Sequence, residues 1–277
     1  MNRLSTDKRV QVVSALVEGN SLRSIVRMTG VAINTVTKLL VDMGCASAAY
    51  HHRHVRNVRV RRLQCDEIWQ FIGAKKKNVT PEQEQKGWGD SWTWTAIDAD
   101  TKLCVTYYVG NRDRFAAYNF MCDCADRIVG RPQITTDAYR PYLQAIEDAF
   151  GTEVDYAQLH KIYGASTSDE SRYSPATCIG CDMKTVMGDP DPKHVSTSLR
   201  GAPKSHDAHV HAALYSPDKR IQQEAGEPRP HGCAVLHTLQ LLPRSQDTAG
   251  YASNGSGFIR SRLDVIRIGQ FIGNKGT

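Results

Sequence analysis

The sequence predicts an α/β protein in which a small all-helical domain precedes a larger domain built on a mixed sheet. Three observations carry that expectation. Residues 6–44 place their apolar side chains at helical spacing only; residues 63–109 contain three runs rich in β-branched and aromatic residues; from residue 114 onward, helical and strand patterns alternate. At 277 residues the chain exceeds one average domain, which agrees with two unequal parts.

In the first part, Thr6 or Asp7 can cap a helix whose Val10, Val13, Leu16 and Val17 share one face before Gly19-Asn20 stops it. Ser21 caps a second helix with Leu22, Ile25 and Val26 inward, and Gly30 makes the turn. Asn34 or Thr35 caps a third, with Val36, Leu39, Leu40 and Met43 as the buried stripe, Thr35, Thr37 and Lys38 outward, and an end near Gly44. This is helix-turn-helix spacing over residues 1–45. A generic three-helix bundle fits the same periodicity, so the choice between them rests on charge. In the helix-turn-helix reading the third helix enters a major groove with Asn34, Thr35 and Lys38 nearest the bases, while Arg23 and Arg27 meet phosphate.

Residues 46–62 read as a basic linker. Arg53, Arg56, Arg59, Arg61 and Arg62 can neutralise phosphates whether that segment is extended or flexible. The neighbouring His51, His52 and His54 are poor metal ligands here, because the flanking arginines repel a cation. The net charge of +6 and pI near 8.9, with basic residues bunched in these segments, suit double-stranded DNA better than a membrane. No apolar run is long enough to span a bilayer and the first residues lack the apolar core of a signal peptide, so a cytoplasmic location is expected. The eight cysteines are scattered, several in apolar segments, as reduced packing thiols would be. Cys178-Ile179-Gly180-Cys181 is a lone CxxC with no second pair at zinc-site spacing.

In the second part, residues 63–73 read as a strand with an acid, Asp66, in its middle. A carboxylate buried in a strand is costly unless something cationic holds it, and a metal ion is the simplest such partner. After a polar loop, residues 92–97 and 103–109 form a hairpin in which Asp98 and Asp100 are read as turn residues. A helix over 114–129 has Ala117, Phe120, Met121, Cys124 and Ile128 inward; a strand over 133–136 runs into Asp137. A helix over 139–150, ended by Gly151, and a strand over 154–162 follow. Three strands in meander, a helix, a strand, a helix and a strand is the order of the ribonuclease-H-like fold, where the first and fourth strands are neighbours. Asp66 and Asp137 would then meet across adjacent backbones and offer a hard divalent cation oxygen ligands from separate elements.

The chain also resembles the DDE-type transposases of bacterial insertion sequences, specifically the insertion-sequence-one-like group. The runs that carry the resemblance include Val17-Glu18-Gly19-Asn20-Ser21, Asp66-Glu67-Ile68-Trp69, Trp92-Thr93-Trp94-Thr95-Ala96-Ile97-Asp98, Thr135-Thr136-Asp137, Arg172-Tyr173-Ser174-Pro175 and Asp189-Pro190-Asp191-Pro192-Lys193-His194. They cover residues 1–198 almost without interruption. The resemblance implies a helix-turn-helix that binds terminal inverted repeats, assembly as a homo-oligomer on DNA, and a catalytic domain over 63–198 with Asp66 and Asp137 as the first two acids of a triad. It also implies two Mg2+ or Mn2+ ions, one activating a water or a 3′-hydroxyl, the other stabilising the leaving oxygen during cleavage and transfer into target DNA.

The resemblance breaks after Ser198. The family continues Tyr-Val-Glu-Arg-Gln-Asn, with the Glu as third acid, where this chain has Leu199-Arg200-Gly201-Ala202-Pro203-Lys204-Ser205. Codons for these residues, read one base later, spell the family's run. Residues 199–277 therefore read as an out-of-frame tail, and Pro203, Pro217, Pro228, Pro230 and Pro243 predict that it is poorly ordered. The expectation is a transposase impaired by loss of its third acid. One rival is a non-catalytic DNA-binding product acting as inhibitor or repressor; another is a nuclease of the same fold in which Glu67 or Asp155 supplies the missing acid.

Overall fold

A computed structural model describes residues 4–163 and 178–195. Among these, the chain divides into two compact units, one comprising 4–56 with Trp69–Thr93, the other 57–68 with 94–163 and 178–195. The expected tail over 199–277 and the Arg172-Tyr173-Ser174-Pro175 run lie outside the described residues.

The first unit opens with three helices, α1 (Thr6–Val17), α2 (Leu22–Thr29) and α3 (Ile33–His54). Ser5, not Thr6 or Asp7, caps α1 by accepting the Lys8 N–H. Ser21 caps α2 by accepting the Ser24 N–H at 3.2 Å, and Gly30 ends it in the left-handed region at φ +70. Val12, Val13, Leu16, Leu22, Ile25, Val36, Leu40 and Met43 make the shared core. Helices α2 and α3 are bent by 115° to each other across a short break.

Two expectations fail in α3. It starts behind Ala32, which gives no side-chain cap, so Asn34 and Thr35 sit inside the first turn. Nor does it stop at Gly44. Gly44 is buried within the helix, and the alanines at 46, 48 and 49 carry it on to His54. Much of the expected linker over 46–62 is therefore helix. No single helix among the described residues is long and apolar enough to cross a membrane.

The mixed sheet runs in the order β4 (Cys104–Gly110), β3 (Gly89–Asp98), β2 (Arg62–Ile72), β6 (Gln133–Asp137), β7 (Asp155–Tyr163), β8 (Cys178–Met187). Strand β6 is parallel to both β2 and β7, and β8 is antiparallel to β7. The first strand of this sheet thus lies beside the fourth, an order compatible with a ribonuclease-H-like fold. Helices α5 (Arg114–Arg127) and α6 (Pro141–Phe150) pack on each other. Trp94 of β3 is fully buried with Phe120 of α5 at 5.8 Å and Tyr142 of α6 at 5.6 Å between ring centroids.

Local chemistry explains the remaining departures. The helix expected through Val129 ends at Arg127, because β-branched Ile128-Val129 forms a short strand, β5 (Ile128–Val129), parallel to β1 (Val58–Arg59). Helix α6 starts at Pro141 rather than Tyr139, since proline is suited to a first turn. The 73–89 loop contains α4 (Pro81–Gln85), held by a capping box between Thr80 and Gln83. Strand β8 was not anticipated: it is mostly exposed, so it lacks the apolar alternation that marks a half-buried strand.

Candidate active site

Strands β2 and β6, which carry the two expected acids, are parallel neighbours. Their register pairs Arg62 with Gln133, Leu63 with Ile134 and Gln64 with Thr135. Asp66 and Asp137 each stand two residues beyond the last pair on their strand. Asp137 closes β6, and its Oδ1 accepts the Tyr139 N–H at 3.0 Å, a local turn that leads into α6. Asp66 accepts the Glu67 N–H on Oδ1 at 2.9 Å.

The carboxylate that β2 buries is Glu67, not Asp66. Burial along the strand changes phase between Cys65 and Ile68, and the Glu67 side chain ends 2 % exposed while Asp66 stays half-buried. Its partner is Arg112, from the loop between β4 and α5. The Arg112 Nε donates to Glu67 Oε2 at 2.9 Å, and Nη2 donates to Asp137 Oδ2 at 3.3 Å. The guanidinium lies 3.8 Å from the Tyr139 ring centroid, and the Tyr139 hydroxyl donates to the Arg112 carbonyl at 2.8 Å. One cation is thus shared between two carboxylates.

The buried Tyr142 hydroxyl is the second group that interacts with the Glu67 carboxyl. Burial raises the Glu67 carboxyl to about 7, and the Asp137 charge adds to the rise; Tyr142 and Arg112 oppose it without cancelling it. An acid divided between its two protonation states near neutral pH therefore stands next to Asp66.

Asp155 belongs to the far end of the sheet. Register pairs it with Gln133, whereas Asp137 pairs with Leu159, so four strand residues, about 13 Å, separate the two acids. Asp155 is tied to Arg131 at 2.8 Å. Asp98 behaves as the expected turn residue, its Oδ1 accepting the Asp100 N–H at 3.2 Å.

Of the residues expected to meet DNA, Arg23, Arg27, Asn34 and Lys38 are exposed on α2 and α3, and Thr35 is half-buried. Lys38 pairs with Asp42 at 2.8 Å. Arg53, Arg59 and Arg61 are exposed, and Arg56 hydrogen-bonds the His52 carbonyl at 3.1 Å. Arg62 departs most from expectation: it is half-buried and engaged by Asp100 and His194, which makes it a tether within the sheet unit. Sequence reasoning gave Glu67 no role in holding Arg112 and missed Arg112 altogether. Glu67 had a signal, since of two successive acids in a strand one must face inward; Arg112 had none.

No family model matches the chain, and no curated protein matches it. Among solved structures it is similar to a piggyBac transposase in a synaptic complex with hairpin DNA, at 13% identity and a TM-score of 0.31, a likeness too low to carry an argument. That match covers 94% of this chain, which spans 58% of the other chain's length. Among the described residues no group of three His, Cys, Asp or Glu side chains is placed to hold a metal ion. Two carboxylates on adjacent strands are nonetheless hard oxygen donors of the kind Mg2+ combines with water and phosphate.

Proposed function

We propose that the chain is a transposase of the DDE type that binds terminal-repeat DNA and is built for metal-dependent strand cleavage and transfer. The observation that supports this reading is the parallel β2–β6 pairing, with Asp66 and Asp137 each two residues beyond its last recorded pair. Asp66 and Asp137 would hold Mg2+ or Mn2+, which when bound supplies charge stabilisation for displacement at phosphorus. Arg112 neutralises part of the acid cluster and fixes the Asp137 carboxylate, itself held by the Tyr139 ring and hydroxyl. Glu67 anchors Arg112 from below the surface. Helices α2 and α3, with Arg23, Arg27, Asn34, Thr35 and Lys38, take the duplex, and exposed Arg53, Arg59 and Arg61 add phosphate contacts.

The third acid of the family stands in the shifted frame, across the codons of Gly201 and Ala202, so this chain is read as impaired. A second reading, a DNA-binding product without catalysis, is favoured by the engagement of Asp137 with Arg112 and by the lack of a three-ligand group among the described residues. The test is strand transfer on terminal-repeat DNA by the chain as it stands and by a version with one base deleted after the Ser198 codon. Activity only in the second supports the transposase reading. Activity in neither, with repeat binding retained, favours the non-catalytic one.

A further inference from the structure

We propose that the outer face of the segment Trp69–Thr93 is a stacking site for unpaired nucleotides of single-stranded DNA. The inference uses none of the acid-pair residues and rests on the preceding reading only in choosing DNA as the polyanion.

Strand alternation sets the face. Gln70 of β2 and Thr93 of β3 are both buried, and the Gln70 Nε2 donates to the Thr93 Oγ1 at 3.1 Å. Trp69 and Phe71 flank the first, and Trp92 precedes the second, so these three rings stand on the opposite side of the two strands. Trp69 is 38% exposed, with its ring 5.8 Å from that of Phe71 and tilted by 44°. Lys75 Nζ lies 5.1 Å from the Trp69 ring centroid, and Lys76 and Lys77 follow, both exposed.

The lysine turn is firmly built. Gly73, at φ +68, lies against the Trp88 indole, where a Cβ would come within 2.2 Å of the ring. The Lys76 N–H donates to Asp90 Oδ1 at 3.0 Å, and the Trp88 N–H donates to the Gln83 carbonyl at 3.0 Å. One ammonium group, that of Lys75, is thus held beside an aromatic surface, and exposed Lys76 and Lys77 follow it in sequence. Glu82 and Glu84 lie further along, on α4; Asp90, two residues before Trp92, is exposed and accepts the Lys76 N–H, so one carboxylate stands against the three contiguous lysines. Aromatic faces offer bases a stacking partner and lysines offer phosphates a counter-charge, which together fit an unpaired strand. A duplex keeps its bases stacked on each other and cannot use the rings.

The experiment is fluorescence anisotropy of labelled oligo(dT) with the full chain in EDTA, so that strand transfer is not involved. Trp69→Ala should weaken oligo(dT) binding about tenfold, while Trp69→Phe keeps it within about twofold. Replacing Lys75, Lys76 and Lys77 by Gln should flatten the salt dependence by about two units. Quenching of tryptophan fluorescence by oligo(dT) should fall in Trp69→Phe, leaving the part due to Trp92, an outcome that stands even where Trp69→Ala fails to fold. Unchanged binding in a folded Trp69→Ala, undiminished quenching in Trp69→Phe, or a change in oligomeric state with no change in oligo(dT) affinity would each overturn the proposal. Absence of strand transfer in the version with the restored frame, with oligo(dT) binding intact, would count against the transposase reading alone.

Discussion

Two acid–arginine clusters occupy opposite ends of the same parallel strands, and they are built differently. At one end Asp155 accepts from Arg131 Nε at 3.1 Å, from Arg131 Nη2 at 2.8 Å and from the Asp189 N–H at 2.9 Å. Arg131 spends its other donor capacity on the Thr152 and Val154 carbonyls. The Arg131 pairing holds the Asp155 carboxyl below its ordinary range. At the other end one guanidinium serves both Glu67 and Asp137, and burial pushes the Glu67 carboxyl up. The first cluster is a satisfied structural fastening. The second divides one cation between two carboxylates.

The largest expected effect separates the two ends by activity. In the version with the restored frame, Asp137→Asn should lower strand transfer by roughly a thousandfold, about 4 kcal/mol of transition-state stabilisation, whereas Asp155→Asn should leave the rate within about threefold. Equal losses would erase the functional distinction.

Next comes the pH dependence of stability without metal. Glu67 has an ordinary carboxyl of 4.5 in the unfolded chain and one near 7 in the folded chain, so the folded state holds that proton more tightly. Its contribution favours folding below about pH 4.5 and is lost as pH rises to 7, by about 3 kcal/mol at most. Urea unfolding in EDTA across this range should show the fall, and Glu67→Gln should flatten it. A stability that rises over the same interval in the parent and is unmoved by Glu67→Gln would contradict the assignment.

Smaller again is the cost of disturbing the satisfied end. Gly188 sits at φ +67, and a Cβ there would come within 2.2 Å of Asp155 Oδ1. Gly188→Ala should therefore destabilise the chain by about 2 kcal/mol and lower its melting temperature without altering DNA binding.

Much of this contrast was legible in the sequence, in uneven measure. Asp66 and Asp137 could be paired because strand order alone makes the first and fourth strands neighbours. Ser21, Gly30 and Gly151 marked helix ends through local backbone chemistry, which acts within a few residues. Glu67 was harder, because alternation says that one of two successive acids faces inward but not which. Arg112 left no trace: its role depends on a loop being carried to Glu67, 45 residues away in sequence, by the fold. Helix α3 outran its expected end because helix-favouring alanines follow Gly44, and β8 escaped because an exposed edge strand carries little apolar signal.

The most direct test of the acid pair is Mn2+ binding to the full chain, followed by electron paramagnetic resonance, with Asp66→Asn, Asp137→Asn and Asp155→Asn compared in parallel. Weak binding in the parent, lost in the first two variants and kept in the third, is the predicted result. Binding that survives both Asp66→Asn and Asp137→Asn, or that disappears with Asp155→Asn, would contradict the account.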